Sequence, residues 1–97
     1  SHMKKHTKIY IDTCGFTDTD FMPSEISGAK GVDIHHIVNR ENRIENLMLL
    51  TRPEHIEYGE IKDKMFFLLI THKNYLDSIG VNYDEEWFNK YLMKYAD

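Results

Sequence analysis

Cysteine is nearly absent from this chain, which has a single one, Cys14. One thiol cannot form an internal disulfide, and it cannot build a multi-cysteine zinc site. We interpret Cys14 as a small packed residue rather than a reactive thiol. With no secretory signal evident either, we expect a cytoplasmic protein.

Long apolar runs are also missing. No window approaches the roughly 18 consecutive apolar residues of a membrane span. The longest run, Met65 to Ile70, is typical of a buried helix. We therefore expect no membrane partner.

An excess of positive charge is the third absence, since 12 Lys and Arg stand against 16 Asp and Glu for a net charge of −4. Phosphate contacts usually dominate affinity for DNA, so a chain of this charge should bind duplex poorly. A local cluster of cations would change that expectation, because net charge does not describe geometry.

The length of 97 residues, with 41% hydrophobic and 12% aromatic residues, suits one domain with a modest core. The first three residues, Ser1 to Met3, look like the remnant of a purification tag. The predicted domain is therefore 4–97.

The N-terminal half predicts two or three short strands separated by loops. Residues 8–12 (KIYID) alternate as a strand does, and residues 13–31 are predicted to form a loop. Residues 32–38 (VDIHHIV) predict a strand, 39–45 a polar loop, and 46–50 (NLMLL) a second strand or a turn into a helix.

A helix is expected to start near Arg52, because Thr51 and Glu54 have the spacing of a capping box. It would carry His55 in its first turn and end or bend at Gly59.

Two further helices are predicted in the segment of about 60–97. Residues 60–79 are amphipathic, and Gly80 is a stop signal. Asp84 is a plausible N-cap for a last helix, whose apolar stripe includes Trp87. We interpret that stripe as core rather than as a docking face, and the fold class as α+β.

The residues that point to chemistry are His35, His36, Asn46 and His55. Histidine suits proton transfer because its ordinary pKa lies near neutrality, and neutral imidazole binds transition metals. Phosphodiester hydrolysis needs both a base and a cation. A histidine pair alone is more often a surface feature or a satisfied buried group, and that alternative stays open.

Neighbours on a strand point to opposite faces. For His35 and His36 to serve one site, the strand must twist or bulge, or the site must lie at its end. A helix after the second strand can place His55 opposite His35.

The segments VDIHHIVNR and IENLMLLT, followed by His55, resemble the HNH nuclease family, particularly its small phage proteins. The interval of nine residues from Asn46 to His55 matches the family's spacing. The resemblance covers about residues 22–59. It implies a ββα-metal core with a helical C-terminal extension, and hydrolysis of DNA that leaves a 5′-phosphate and a 3′-hydroxyl.

The same resemblance assigns the roles. His35 and His55 match the metal ligands, His36 matches the general base, and Asn46 matches the asparagine that ties the loop between the strands. One divalent metal ion (Mg, Mn, Ni or Zn) is implied as cofactor, with DNA as partner.

Three arginines are candidates for contacting DNA phosphate: Arg40, Arg43 and Arg52. Similar phage proteins often have arginine at the position of Arg40, where a guanidinium could hold a phosphate oxygen. A solvated side chain is the alternative.

The chain departs from the family at two places. Many relatives bind a structural zinc through two cysteine pairs, and those positions are Ser24 with Ser27 and Thr51 with Glu54 here. No structural zinc is therefore expected, and packing by the C-terminal helices would replace its stabilisation. Some relatives also have a further metal-binding histidine where this chain has Gly59, so the metal would have two protein ligands.

Two other functions remain open at this stage. One is a non-catalytic DNA-binding or phage-assembly module that retains the HNH fold. The other is a subunit whose activity needs other phage or host proteins, as in a packaging machine.

Overall fold

Two short strands and four helices make up the described part of the chain, residues 3–17 and 19–96 of a computed structural model. In chain order they are α1 (Lys5–Cys14), β1 (Asp33–His36), β2 (Leu47–Leu50), α2 (Arg52–Tyr58), α3 (Met65–Ser78) and α4 (Glu85–Tyr95). Ser1 and His2, two of the three expected tag residues, lie outside the described residues, as do Asp18 and Asp97. The α+β class predicted from the sequence is confirmed.

The N-terminal element is a helix, so the strand predicted over residues 8–12 is wrong. Tyr10 and Ile11 are adjacent and both buried, which a helix packed on a core allows and an alternating strand does not. Gly15 ends the helix in the left-handed conformation, with φ at 80°, and its amide donates to the Ile11 carbonyl. Packing of α1 against both strands outweighs a five-residue alternation.

The sheet is a two-stranded antiparallel hairpin in which His35 pairs with Met48 and His36 pairs with Leu47. All four residues of β2 are buried, as a short uninterrupted apolar run predicts. The strand predicted over 32–38 is shorter at both ends, so His36 is the last residue of β1.

Helix α2 begins as predicted. The Thr51 hydroxyl accepts from the Glu54 amide at 3.2 Å, and the Glu54 carboxylate accepts from the Thr51 amide at 2.9 Å. Gly59 follows the last turn as its C-cap. This reciprocal cap fixes the direction in which α2 leaves β2 and therefore the position of His55.

Helices α3 and α4 pack together and cover the hairpin's apolar side. The helix predicted over residues 60–79 starts five residues later, at Met65, because Glu60 has a positive φ of 62° and a 3-10 turn occupies Lys62–Lys64. Asp84 caps α4 as predicted, accepting from the Trp87 amide at 3.2 Å. Trp87 is 7% exposed, so it belongs to the core.

A buried polar network joins α1, α3 and the segment before β2. The side chains of Glu25 and His72 are both 0% exposed and lie 2.6 Å apart. The Tyr10 hydroxyl also donates to Glu25, and His72 Nε2 donates to the Ile44 carbonyl, each at 2.6 Å. Every polar atom of this imidazole therefore has a partner.

Within residues 3–17 and 19–96, no helix is both long and apolar enough to cross a lipid bilayer.

Candidate active site

The histidine doublet lies where β1 ends, which is one of the placements that lets both side chains serve one site. His35, His36 and His55 line a cavity of about 600 Å³ together with Arg40 and Glu60. The cavity is open to solvent at the mouth between the hairpin and α2.

His35 is the innermost of the three imidazoles and is only 3% exposed. Its Nε2 atom has no hydrogen-bond partner, and no other buried side-chain nitrogen or oxygen among the described residues lacks one. Burial, together with the nearby His55 and His36, lowers the pKa of His35 to about 4, and burial is the largest cause. The ring is therefore neutral at neutral pH, with a nitrogen available to a ligand.

His55 comes from the first half of α2 and faces His35, with 4.8 Å between the ring centroids. Its Nδ1 lies 3.1 Å from a carboxylate oxygen of Asp33. A carboxylate there favours a proton on Nδ1, which leaves the lone pair on Nε2. The helix and the first residue of β1 thus fix the orientation of the second imidazole.

Asp33 also accepts two hydrogen bonds from Arg52, at 2.6 and 3.0 Å. The Arg52 guanidinium lowers the pKa of Asp33, so this carboxylate stays ionised beside His55. Sequence reasoning missed Asp33. The signal was its position two residues before His35, which puts both side chains on one face of β1.

His36 is half-buried, and a hydrogen bond at its Nε2 orients the ring. Its Nε2 lies 2.9 Å from the side-chain oxygen of Asn42, in the loop after β1. Since that oxygen accepts, the proton is on Nε2 and the basic lone pair is on Nδ1. Asn42 was not singled out in the sequence, where it is one of several polar loop residues.

Asn46 is fully buried and ties this loop together. Its side-chain oxygen accepts from the Val38 amide at 2.9 Å. Its nitrogen donates to the carbonyls of Asn39 and Glu41, also at 2.9 Å each. This is the loop-binding geometry that the resemblance implies for Asn46.

The three candidate arginines differ in what they contact. Arg40 is exposed at the rim of the cleft, and it makes no ion pair with the described residues. Arg52 binds Asp33. Arg43 pairs with the nearby Glu45 at 2.9 Å and with Asp84, the N-cap of α4, at 3.1 Å. It does not line the cavity that holds the three histidines, and its phosphate role stays a prediction.

The positions that correspond, in the resemblance to HNH nucleases, to structural-zinc cysteines are joined by side-chain hydrogen bonds. The Ser24 hydroxyl donates to the Glu54 carboxylate and accepts from the amides of Ile26 and Ser27. Because the same Glu54 oxygen caps α2 through Thr51, the loop before β1 is fastened to the start of that helix. Side-chain hydrogen bonds thus connect the two segments that cysteine pairs would connect.

Gly59 borders the cleft from the end of α2. A Cβ atom built there would lie 2.4 Å from the His55 carbonyl oxygen, 2.9 Å from the His55 ring and 3.4 Å from the His35 ring. The space between the two imidazoles therefore depends on the absence of a side chain at this position.

Helix α1 brings a further imidazole to the site, which sequence reasoning also missed. His6 packs edge-on against His36, with ring centroids 4.9 Å apart at 70°. Burial lowers the pKa of His6, and the neighbouring His36 and Lys4 add to that effect. No sequence signal connects residues 6 and 36, because the contact depends on how α1 packs.

The metal-binding capacity of this cleft rests on two imidazoles. Within the described residues, no group of three or more His, Cys, Asp or Glu side chains is arranged to hold an ion. The unpartnered His35 Nε2 opposite His55 fits a two-ligand site whose other positions are filled by water or phosphate. Comparison of the chain with protein-family models, with curated proteins and with solved structures found no match.

Proposed function

We propose that this chain is an HNH-type endonuclease domain that hydrolyses phosphodiester bonds in DNA, with β1, β2 and α2 as its ββα-metal core. The observation that carries the proposal is the bare, buried Nε2 of His35 opposite His55, in a cleft shared with His36. An unsatisfied buried nitrogen costs free energy, so a site that retains one is expected to use it.

His35 and His55 would hold the divalent ion. Imidazole nitrogen as a ligand favours manganese, nickel or zinc over magnesium. The bound ion would supply positive charge to the scissile phosphate and its leaving oxygen. Asp33 orients the His55 ring, and the neutrality of His35 keeps its nitrogen free of a competing proton.

His36 would act as the general base through Nδ1. Its Nε2–H bond to Asn42 fixes both the tautomer and the ring orientation, so the lone pair stays directed to one place. Asn46 holds the loop that carries Asn42, which makes it a positioning residue for the base. A proton from the attacking water would pass to His36 Nδ1.

Nicking of supercoiled plasmid DNA in manganese buffer tests the base. We expect His36→Ala to lower the single-turnover rate by ~10²–10⁴-fold, the usual cost of losing a general base. Melting temperature and metal affinity should stay near those of the parent, because His36 is not needed as a ligand. A variant that cuts at the parental rate would show that another residue is the base.

Calorimetric titration of the chelator-treated protein tests the metal site. Manganese, nickel or zinc should bind more tightly than magnesium, and the His35→Ala, His55→Ala double variant should lose that binding. Binding that persists in the double variant would overturn the ligand assignment. DNA binding without cleavage, in every divalent metal tried, would favour the non-catalytic module instead.

A further inference from the structure

The first turn of α1 borders a second cavity on the other side of the candidate base. Lys4, His6 and Thr7 line this cavity of about 640 Å³, together with Arg40 and Arg52. The sequence interpretation placed a strand start at residue 8 and assigned no role to these residues. The helix instead puts them at the cleft.

The two cavities share a common ridge formed by Ile34, His36, Arg40 and His55. The candidate base therefore stands between two open spaces rather than at the end of one. An extended polymer can cross such a ridge, with one unit at His36 and its neighbours in the cavities on either side.

The second cavity is positively charged although the chain is negative. Its charged lining consists of Lys4, Arg40, Arg52 and Asp33. Asp33 is already paired with Arg52 through two hydrogen bonds. Lys4 and Arg40 make no ion pair with the described residues, so two cations face the cavity without a neutralising partner. The chain as a whole carries −4.

The packing of α1, which begins directly after Lys4, places this residue at the cavity. Two residues along the chain, His6 packs edge-on against His36 at 4.9 Å between centroids. Further along α1, the buried Tyr10 donates to the buried Glu25. The start of this helix is thus attached to the cleft, and Lys4 lies at the rim of the second cavity.

We infer that Lys4 and Arg40 bind the backbone phosphate next to the scissile one, on a DNA strand that crosses the His36 ridge into the second cavity. Two uncompensated cations around one open cavity match the charge of such a phosphate. The inference rests on the proposed nuclease function for the identity of the strand.

The test is DNA binding measured without cleavage, by fluorescence anisotropy of a labelled duplex in EDTA across a salt series. Lys4→Gln and Arg40→Gln should each weaken binding several-fold and make the dependence of log K on log salt less steep, and the double variant should lower the slope by about 1, as expected for one lost phosphate contact. Lys8→Gln is the matched control. It makes the same charge change on the same helix, but Lys8 lies 3.7 Å from Asp12 and lines neither cavity.

A Lys4→Gln slope equal to that of Lys8→Gln overturns the inference, and so does a parent protein that shows no DNA binding. The combination of binding and cutting results distinguishes a failure of this inference from a failure of the nuclease proposal. If the parent protein cuts DNA and Lys4→Gln leaves the slope of log K against log salt unchanged, only this inference is refuted. A reduced slope in a protein that never cuts would refute only the catalytic function.

Discussion

Two buried histidines show how the two halves of this molecule differ. His72 in α3 is 0% exposed, and both ring nitrogens are hydrogen-bonded, to Glu25 and to the Ile44 carbonyl. His35 in β1 is 3% exposed, and its Nε2 has no partner. Full pairing is what a purely structural buried group requires, so the contrast separates a histidine that holds the fold from one that is kept available.

The carboxylates beside these histidines differ in the same way. Glu25 is sealed in the core with 0% exposure, whereas Asp33, which contacts His55, is 15% exposed at the edge of the cleft. A charge in the core must be matched by a fixed partner. The Asp33 carboxylate at the cleft can orient the His55 ring and remain in contact with solvent or substrate.

The largest effect should come from breaking the core pair. His72→Leu leaves the buried Glu25 carboxyl without its hydrogen-bond partner on α3, and breaking a buried pair from one side typically costs about 3–5 kcal/mol of unfolding free energy. Urea unfolding monitored by circular dichroism measures it. The second variant, His72→Leu with Glu25→Gln, removes the stranded charge and should recover part of the loss. If the single and double variants are equally unstable, the pair is not held as an ion pair.

A somewhat smaller effect is expected from the aromatic anchor of α4. Trp87 is 7% exposed and packs against Phe88 and Tyr91, so Trp87→Ala should cost about 3 kcal/mol, the lower end for large aromatic truncations. Thermal melting measures the loss, while metal titration should be unchanged in the folded fraction. Met93→Ala on the same helix is the control, because Met93 is 79% exposed and should cost almost nothing. Equal melting temperatures for both variants would mean that the stripe is a docking face.

The smallest effect is a pH dependence that belongs to the cleft. The pKa of His35 is about 4 in the folded chain and about 6.5 when unfolded, so the unfolded state binds the extra proton first as the pH falls. His35 therefore contributes fully to stability above pH 6.5, and that contribution is lost between pH 6.5 and 4. At about 1.4 kcal/mol per pKa unit, the loss is about 2 kcal/mol at pH 5, which is less than the effect of Trp87→Ala, and it approaches about 3.5 kcal/mol only below pH 4. His35→Leu should flatten this part of the stability curve, and an unchanged curve would contradict the burial argument.

The sequence predicted best where a local rule determines the structure. Thr51 and Glu54 form a capping box through local contacts alone. The start of α2, and with it the position of His55 in that helix, could therefore be predicted from the sequence. The apolar run in residues 46–50 predicted a strand or a turn into a helix, and Leu47–Leu50 is a strand. The expectation that His35 and His36 share one site required a twist, a bulge or an end of the strand there, and β1 ends at His36.

What could not be predicted depends on contacts between distant segments. The strand expected at residues 8–12 is a helix, and its Tyr10 packs in the core that contains the hairpin residues. With α1 misassigned, Lys4 and His6 had no connection to the cleft. Arg43 was a phosphate candidate because of its residue type. In the structure its guanidinium donates a hydrogen bond to Asp84, which lies 41 residues away in the sequence. The net charge of −4 likewise hid a local excess of cations around the second cavity.

Gly59 limits how this cleft could change by mutation. Any side chain there begins 2.4 Å from the His55 carbonyl and 2.9 Å from the His55 ring. A histidine introduced at this position would displace the two imidazoles before it could join them as a third ligand. A third imidazole at this position therefore requires that the end of α2 shift away from His55 and His35. In this chain the backbone at the end of α2, and not only the identity of one residue, limits how many imidazoles the cleft can hold.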